Sequence, residues 1–401
     1  MSLIVQKFGG SSVANTERIF NVASIITETF KAGNDVVVVL SAQGDTTDEM
    51  IEKAAAINPN PSKREMDMLL ANGEQMSIAL MAMAIESLGF PVISLTGWQV
   101  GMHTDSNYGS ARIEKINATR VETELAKRKI VLVAGFQGIN KYDDVTTLGR
   151  GGSDTTAVAL AVALKADLCQ IYTDVDGVYT ADPRFVPDAR KLEEITYDEM
   201  LELASLGANV LHNRSVEMAK RYNVDLEVIS SFSKKPGTKI KEAPNMEKMN
   251  VSGVAKDKNI ARISLINLAD VPGIAFKIFS SLAAKKINVD IILQSIGRDN
   301  TKDISFTVSA DNLQNALDTL NANKDKIGFE NIMVNDKVCK VSIVGAGMVN
   351  NPGVAASMFE ALSNANVNIQ MISTSELKVS VLVDEDDADK ALRAVHDQFF
   401  N

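Results

Sequence analysis

The sequence predicts an α/β protein in two parts: a three-layer sandwich on a mostly parallel sheet, followed by two interleaved βαββαβ units. Three observations carry this. Continuous apolar runs alternate with helical patterns through residues 1–230. A segment rich in Lys, Pro and Asn, Ser233 to Asn250, ends that alternation. Beyond it one pattern occurs twice, offset by 80 residues from Pro272-Gly273 to Pro352-Gly353.

The first element is an apolar strand, Leu3-Ile4-Val5, running into Lys7-Phe8-Gly9-Gly10-Ser11-Ser12-Val13. A helix follows, with Ile19, Phe20, Val22, Ala23 and Ile26 on one face. Strand, Gly-Gly and helix together present backbone N–H groups to phosphate, and Lys7 adds a full positive charge. The lysine precedes the glycines, so this is not a Walker A loop. Val36–Leu40, Pro91–Leu95, Ile130–Ala134 and Leu168–Tyr172 read as strands buried on both faces. Helical stretches such as Asn72–Leu88 and Asp154–Lys165 lie between them. In such sheets ligands bind beyond the carboxyl ends of the strands.

The expected boundaries are a first domain over 1–235, a linker over 236–249, one repeat over 258–335, and a second from 250–257 plus 336–401. The first copy has strands near 261–267, 289–296, 303–309 and 330–334, with helices near 273–285 and 312–324. The second has strands near 338–344, 368–373 and 377–383 and a helix near 386–399, and then the chain stops one strand short. Asn250–Ala255 is a spare strand just before the first copy, so it is expected to complete the second. Gly345-Ala346-Gly347 resembles a dinucleotide fingerprint, but Asn350 replaces the third glycine and Gln370 stands where an acid is needed. The repeat aligns that strand with Arg262–Asn267, so no cofactor is expected there.

Composition narrows the function. The net charge of −10 argues against nucleic acid as a partner. Two cysteines, Cys169 and Cys339, exclude a disulfide framework and read as small core residues. His103, His212 and His396 are far apart, so no metal-ligand spacing and no protein-held metal are expected. The N-terminus lacks a secretory leader, and no stretch reads as a membrane span, so a cytoplasmic protein without a membrane partner is expected.

Five further stretches lie at strand ends or helix starts: Ser41–Asp48, Gly73–Ser77, Gly135–Gly138, Thr147–Thr156 and Tyr172–Arg184. Singly, each reads equally well as a cap or a turn. Jointly, Lys-Phe-Gly-Gly-Ser-Ser-Val, Gly-Glu-Gln-Met-Ser, Gly-Arg-Gly-Gly-Ser-Asp-Thr-Thr and Tyr-Thr-Asp-Val-Asp-Gly-Val-Tyr resemble the aspartokinases of the amino-acid kinase superfamily. The resemblance spans essentially the whole chain. It extends to the repeats, which are similar to that family's paired, ferredoxin-like ACT domains.

The resemblance implies transfer of the ATP γ-phosphoryl group to the side-chain carboxylate of L-aspartate, with Mg²⁺ carried largely by phosphates and water. Aspartate is already ionised, with a pKa of about 3.9, so no general base is needed. The obstacle is bringing anion to anion, which positioning and cationic charge overcome. By resemblance, Lys7 meets the transferring group, Phe8, Gly9 and Gly10 cradle phosphate, and Asp154 organises Lys7. Arg150 holds the substrate α-carboxylate, Glu74 pairs with its α-amino group, and Ser41, Thr47 and Ser153 line the pocket. Thr173, Asp174, Tyr179 and Arg184 hold the nucleotide. A regulatory amino acid, lysine with or without threonine, is expected at Asp270, Ala275 and Gln294 in the first repeat and at Val367, Asn368 and Ser375 in the second. A homodimer through the repeats, or a higher oligomer, is expected too. Ser11 and Asn209 depart from the family's usual Thr and Lys, and Lys234 is only a loose equivalent of its phosphate-contacting lysine. Another amino-acid kinase and a non-catalytic amino-acid sensor are the alternatives, and the presence of both Lys7 and Asp154 argues against the sensor. A fused dehydrogenase is not expected, because the chain ends inside the second repeat.

Overall fold

The structure is a computed structural model, and it describes residues 2–207, 210–233, 235–242, 251–295 and 300–401. Asn209 and Lys234 lie outside the described residues, as do residues 243–249 of the expected linker and the two ends Asn250 and Ile296 of expected strands. The chain forms two compact units: Met1–Tyr179 with Arg190–Lys248, and Thr180–Ala189 with Met249–Asn401.

The first unit is organised by an eight-stranded sheet. Its order is Glu194–Thr196, Thr238–Lys241, Leu226–Ser230, Leu168–Thr173, Leu3–Phe8, Asp35–Leu40, Ile130–Ala134 and Val92–Leu95. Every pairing is parallel except that of Leu226–Ser230 with Thr238–Lys241. The last-named strand lies inside the stretch expected to be linker, so the sheet runs past the boundary placed at residue 235. The continuous apolar runs are central strands because helices cover both faces: Val36–Leu40 and Ile130–Ala134 are fully buried. Each such aliphatic side chain contributes roughly 1.5–3 kcal/mol on burial.

The register aligns the strand ends. Phe8 lies opposite both Leu40 and Tyr172, and Leu40 lies opposite Ala134. Gly9, Ser41, Thr173 and Gly135 therefore follow one another along a single edge. Helix Thr16–Lys31, capped by the Asn15 side chain, buries Ile19, Val22, Ala23 and Ile26. Phe20 is the exception on the expected face, since it is exposed. Gly-Gly does not open this helix directly. A short 3-10 turn, Gly10–Val13, intervenes.

Two features were not anticipated. A small second sheet joins Ile113–Ile116, Met102–Thr104, Gln137–Ile139 and Val145–Thr147. The helical run Lys63–Ser87 has 25 residues and a mean hydropathy of 1.3, enough by length and composition to cross a membrane. It consists of two helices, Lys63–Leu70 and Asn72–Ser87, and carries buried Asp67 and Glu74, both hydrogen-bonded inside the fold.

The second unit contains two four-stranded antiparallel sheets. One orders Ile292–Gln294, Thr301–Val308, Ala261–Ala269 and Asn331–Asn335. The other orders Gly253–Asp257, Val338–Val344, Lys378–Asp384 and Met371–Thr374. Gly253–Asp257 pairs antiparallel with Val338–Val344 and takes the place of the missing last strand, so the first copy is inserted within the second. The Pro-Gly repeat has a backbone cause. Gly273 and Gly353 both adopt left-handed φ, +94° and +104°, at the start of helices Ile274–Ala284 and Val354–Asn364. The fingerprint-like glycines only join a buried strand to a short 3-10 turn, Ala346–Asn350.

Thr180–Ala189 leaves the sequence of the first unit and packs into the second. Ala181 and Val186 join the core around Val341, Val381 and Leu392. Val254 N–H donates to the Thr180 carbonyl at 2.7 Å, and Arg393 Nε donates to the Phe185 carbonyl at 2.9 Å.

Candidate active site

Lys7 is the penultimate residue of the first strand, and its Nζ lies 2.7 Å from Asp154 Oδ1. Both side chains are largely covered, at 12% and 11% exposure, so solvent screens the pair little. Asp154 occupies the first turn of helix Gly152–Leu164, where the N-terminal dipole favours a negative charge. This is the long helix that opens onto the strand ends; the Gly-Gly segment itself passes into the 3-10 turn. Gly9 N–H is directed at the Tyr172 carbonyl, 3.4 Å away. Gly10 must be glycine for a simpler reason: a Cβ there would stand 2.7 Å from the Ala42 carbonyl oxygen.

That close approach brings in the helix carrying Glu74. Ala42 N–H donates to Glu74 Oε1 at 3.1 Å, and a Cβ on Gly73 would stand 2.7 Å from the Ala42 Cβ. Glu74 is buried, and its Oε2 has no hydrogen-bond partner among the described residues. Burial pushes its carboxyl up from 4.5 to about 7, against the pull of the Ala42 bond. A buried carboxylate with one oxygen unused is a receptor for a cation.

The other strand ends close on the same place. A Cβ on Gly135 would meet Ser153 Oγ at 2.7 Å and the Leu40 carbonyl at 3.0 Å. Ser41 N–H bonds the Phe8 carbonyl at 3.1 Å, and Thr47 lies in the first turn of helix Thr46–Ile57. Phe8 stacks on Tyr172 at 4.4 Å between centroids. Arg150 is exposed at the helix start and forms no ion pair or hydrogen bond among the described residues.

The nucleotide candidates divide. Thr173 Oγ1 donates to Asp174 Oδ1 at 3.0 Å beside the strand end, and Ser231 N–H bonds the Thr173 carbonyl at 3.0 Å. Tyr179 donates its hydroxyl to Asp176 Oδ1 at 2.6 Å, which holds Asp176 low and pushes the phenol up to about 12. Asp176 was not singled out in the sequence, although its bond shapes this loop. Arg184 is described within the second unit. It lies in the segment packed on the second unit, is 82% exposed, and bonds both oxygens of Asp182.

The effector candidates also divide. Asp270 pairs with Lys302 at 2.9 Å, and Ala275, Gln294 and Asn368 are exposed. Ser375 Oγ accepts from Leu377 N–H and Lys378 N–H, closing a turn. Val367 is buried in the core, so only its backbone can meet a ligand. Cys169 and Cys339 are buried and free, with thiols pushed up by desolvation, as core residues should be.

The amino acid kinase family model matches residues 2–230, and an ACT domain model matches residues 263–323 and 341–399. An aspartokinase of Corynebacterium glutamicum is 54% identical over 407 residues, spanning 100% of this chain and 96% of its own. The chain belongs to the aspartokinase family. Aspartokinase 2 of Bacillus subtilis is 52% identical, spanning 100% of this chain and 98% of its own. Among solved structures, E. coli aspartokinase III with aspartate and ADP, called the R-state, superposes with a TM-score of 0.83 at 26% identity, and each chain is covered completely. The same E. coli protein with lysine and aspartate, called the T-state, gives 0.78 at 27% identity, again with complete coverage of both chains. The aspartokinase fold thus extends through both units, and the chain is a kinase.

Proposed function

We propose that this chain transfers the γ-phosphoryl group of ATP to the side-chain carboxylate of L-aspartate, giving 4-phospho-L-aspartate and ADP, as the first step toward lysine, threonine and methionine. Cytoplasmic ATP makes the cytoplasm its place of action. The observation that carries the substrate reading is Glu74: a buried carboxylate with an unpartnered Oε2 suits an α-ammonium group. Arg150, without a partner of its own, suits the α-carboxylate as a bidentate fork. The two ends of an amino acid are then fixed. Its side-chain carboxylate is presented among Ser41, Thr47 and Ser153 toward Lys7.

Lys7 supplies the charge that offsets the developing negative charge on the transferring group, and Asp154 aims it. Phe8, Gly9 and Gly10 leave room for phosphate, and Thr173, Asp174 and Tyr179 border the nucleotide. Mg²⁺ enters with the nucleotide and neutralises phosphate charge. Mg²⁺ characteristically keeps several waters and is held through substrate phosphates, so phosphate oxygens and water are proposed as its main ligands here.

Glu74 gives a test with a defined sign. Its folded pKa lies above its unfolded value, so burial favours the neutral form. The associated stability is present below about pH 4.5 and is lost as pH rises through about 7, a loss on the order of 3–4 kcal/mol at most. Without substrate, Glu74→Gln is therefore expected to melt higher than the native chain at pH 8, and to raise the aspartate KM strongly. Thermal melts at pH 8 with and without aspartate check this. A lower melting temperature with an unchanged KM would contradict it. In a coupled ADP-release assay, aspartate is expected to outrun glutamate, acetylglutamate and carbamate, and N-acetylaspartate, which has no ammonium group, is expected to fail.

Regulation by lysine, with or without threonine, belongs to the same proposal. The ligand shifts the enzyme only insofar as it prefers a less active arrangement. Phe276, Ile292, Met333 and Val334 of the first repeat are exposed apolar side chains, and a second copy of the chain is proposed to cover residues of this kind. Calorimetry on the intact chain is expected to show lysine binding accompanied by inhibition. No heat with lysine, threonine or methionine would remove the regulatory reading and leave the kinase reading standing.

A further inference from the structure

We propose that Asp67 and Arg214 are positioning residues for the substrate: together they fix the base of the loop from which Arg150 reaches the aspartate α-carboxylate. This rests on the reading of Arg150 given above. Asp67 lies on helix Lys63–Leu70 and is 1% exposed. Its Oδ2 accepts from Gly109 N–H and Thr147 N–H, both at 2.9 Å, and its Oδ1 accepts from Thr147 Oγ1 at 2.6 Å. Arg214 comes from helix Asn213–Tyr222. Its Nη1 donates to the Leu148 carbonyl at 2.9 Å and its Nη2 to the Ala111 carbonyl at 2.8 Å.

Backbone bonds complete the base. Ala111 N–H donates to the Thr147 carbonyl at 2.9 Å, and Leu148 N–H donates to the Phe136 carbonyl at 2.8 Å. All four backbone polar groups of Thr147 and Leu148 are thus occupied, two or three residues before Arg150. The Arg150 side chain itself has no partner among the described residues. A free fork on a fixed base is the arrangement that bidentate recognition needs.

The charges involved are costly for a loop that fold stability alone would not need to fix so firmly. Arg214 is half-buried, forms no ion pair among the described residues, and is held below the usual guanidinium range by desolvation. Charged groups make shorter, more directional bonds than neutral ones, so they suit fixing a loop rather than merely covering it. Helix Lys63–Leu70, which carries Asp67, is also tied down in its first turn, where Arg64 Nη2 meets Asp144 Oδ1 at 2.7 Å.

The test compares Asp67→Asn, Arg214→Lys, Thr147→Val and Thr147→Ser with Arg150→Lys in the full-length chain, measuring KM for aspartate and for ATP. Asp67→Asn removes the charge behind three bonds, leaving a neutral amide oxygen on the two N–H donors and its NH2 facing Thr147 Oγ1. Arg214→Lys cannot span both carbonyls, and Thr147→Val removes the hydroxyl at nearly constant volume. Each is expected to raise the aspartate KM about tenfold and to leave the ATP KM within about twofold, because a misplaced binding group costs its own ligand. Thr147→Ser restores the hydroxyl and is expected to behave as the native chain. If Asp67→Asn does not fold, the two Thr147 variants decide. Unchanged aspartate KM in folded variants, or equal rises for both substrates, overturns the proposal. If Arg150→Lys raises the aspartate KM and the others do not, the positioning role falls and the Arg150 reading stands. If Arg150→Lys also leaves it unchanged, both fall together.

Discussion

Lys7→Ala is expected to lower kcat by about 100-fold or more in a protein that still folds, because it removes a cation aimed at charge that develops only in the transition state. The fold should tolerate the change. Lys7 lies near the end of its strand, and the carboxylate it leaves behind, Asp154, sits in the first turn of a helix whose dipole favours it. The loss should therefore appear in kcat far more than in either KM. Steady-state kinetics alongside circular dichroism check this. Turnover within a few-fold of the native chain in a folded variant would contradict the role of Lys7.

Arg150→Lys is expected to raise the aspartate KM about tenfold or more and to leave the ATP KM nearly unchanged. Lysine keeps the positive charge but loses the planar fork that meets two carboxylate oxygens at once. Nothing in the protein compensates, since the Arg150 side chain has no internal partner among the described residues. The substitution changes an exposed side chain, so stability should hold within about 0.5 kcal/mol. A raised ATP KM with an unchanged aspartate KM would move Arg150 to the nucleotide side.

Much of the fold could be read from the chain because its signals were redundant. Val36–Leu40 and Ile130–Ala134 are apolar at every position, and only a strand covered on both faces needs that. The interleaved repeats were legible because one copy ran a strand short and a spare strand stood upstream. Gly253–Asp257 pairs with Val338–Val344 as that count required. What could not be read depends on partners distant in sequence. Nothing local separates Tyr179 from Thr180, yet the chain passes there from one unit to the other, because Ala181 and Val186 find their apolar neighbours around Val341 and Leu392. Arg184 belongs to that segment. Phe20 fits the helical period but lies at the edge of the buried face.

The candidate site shows the same division. Lys7 was singled out because Gly-Gly after a strand marks a phosphate-cradling turn, and Glu74, Asp154 and Arg150 through the resemblance of their motifs to the aspartokinases. Asp67 was missed because a lone acid in a polar-looking helix reads as solvated. Its three donors, Gly109 N–H and the two groups of Thr147, lie 42 and 80 residues away in sequence. Asp176 was likewise read as part of a turn, although it holds the Tyr179 hydroxyl.

The most direct measurement is to trap the product with hydroxylamine while ADP release is followed. Acyl phosphates react with hydroxylamine and alkyl phosphates do not. With ATP, Mg²⁺ and L-aspartate, the native chain is expected to yield aspartyl hydroxamate in a one-to-one ratio with ADP, and Lys7→Ala to yield almost none. ADP release without hydroxamate, or equal hydroxamate from glutamate, would contradict phosphoryl transfer to the aspartate side chain.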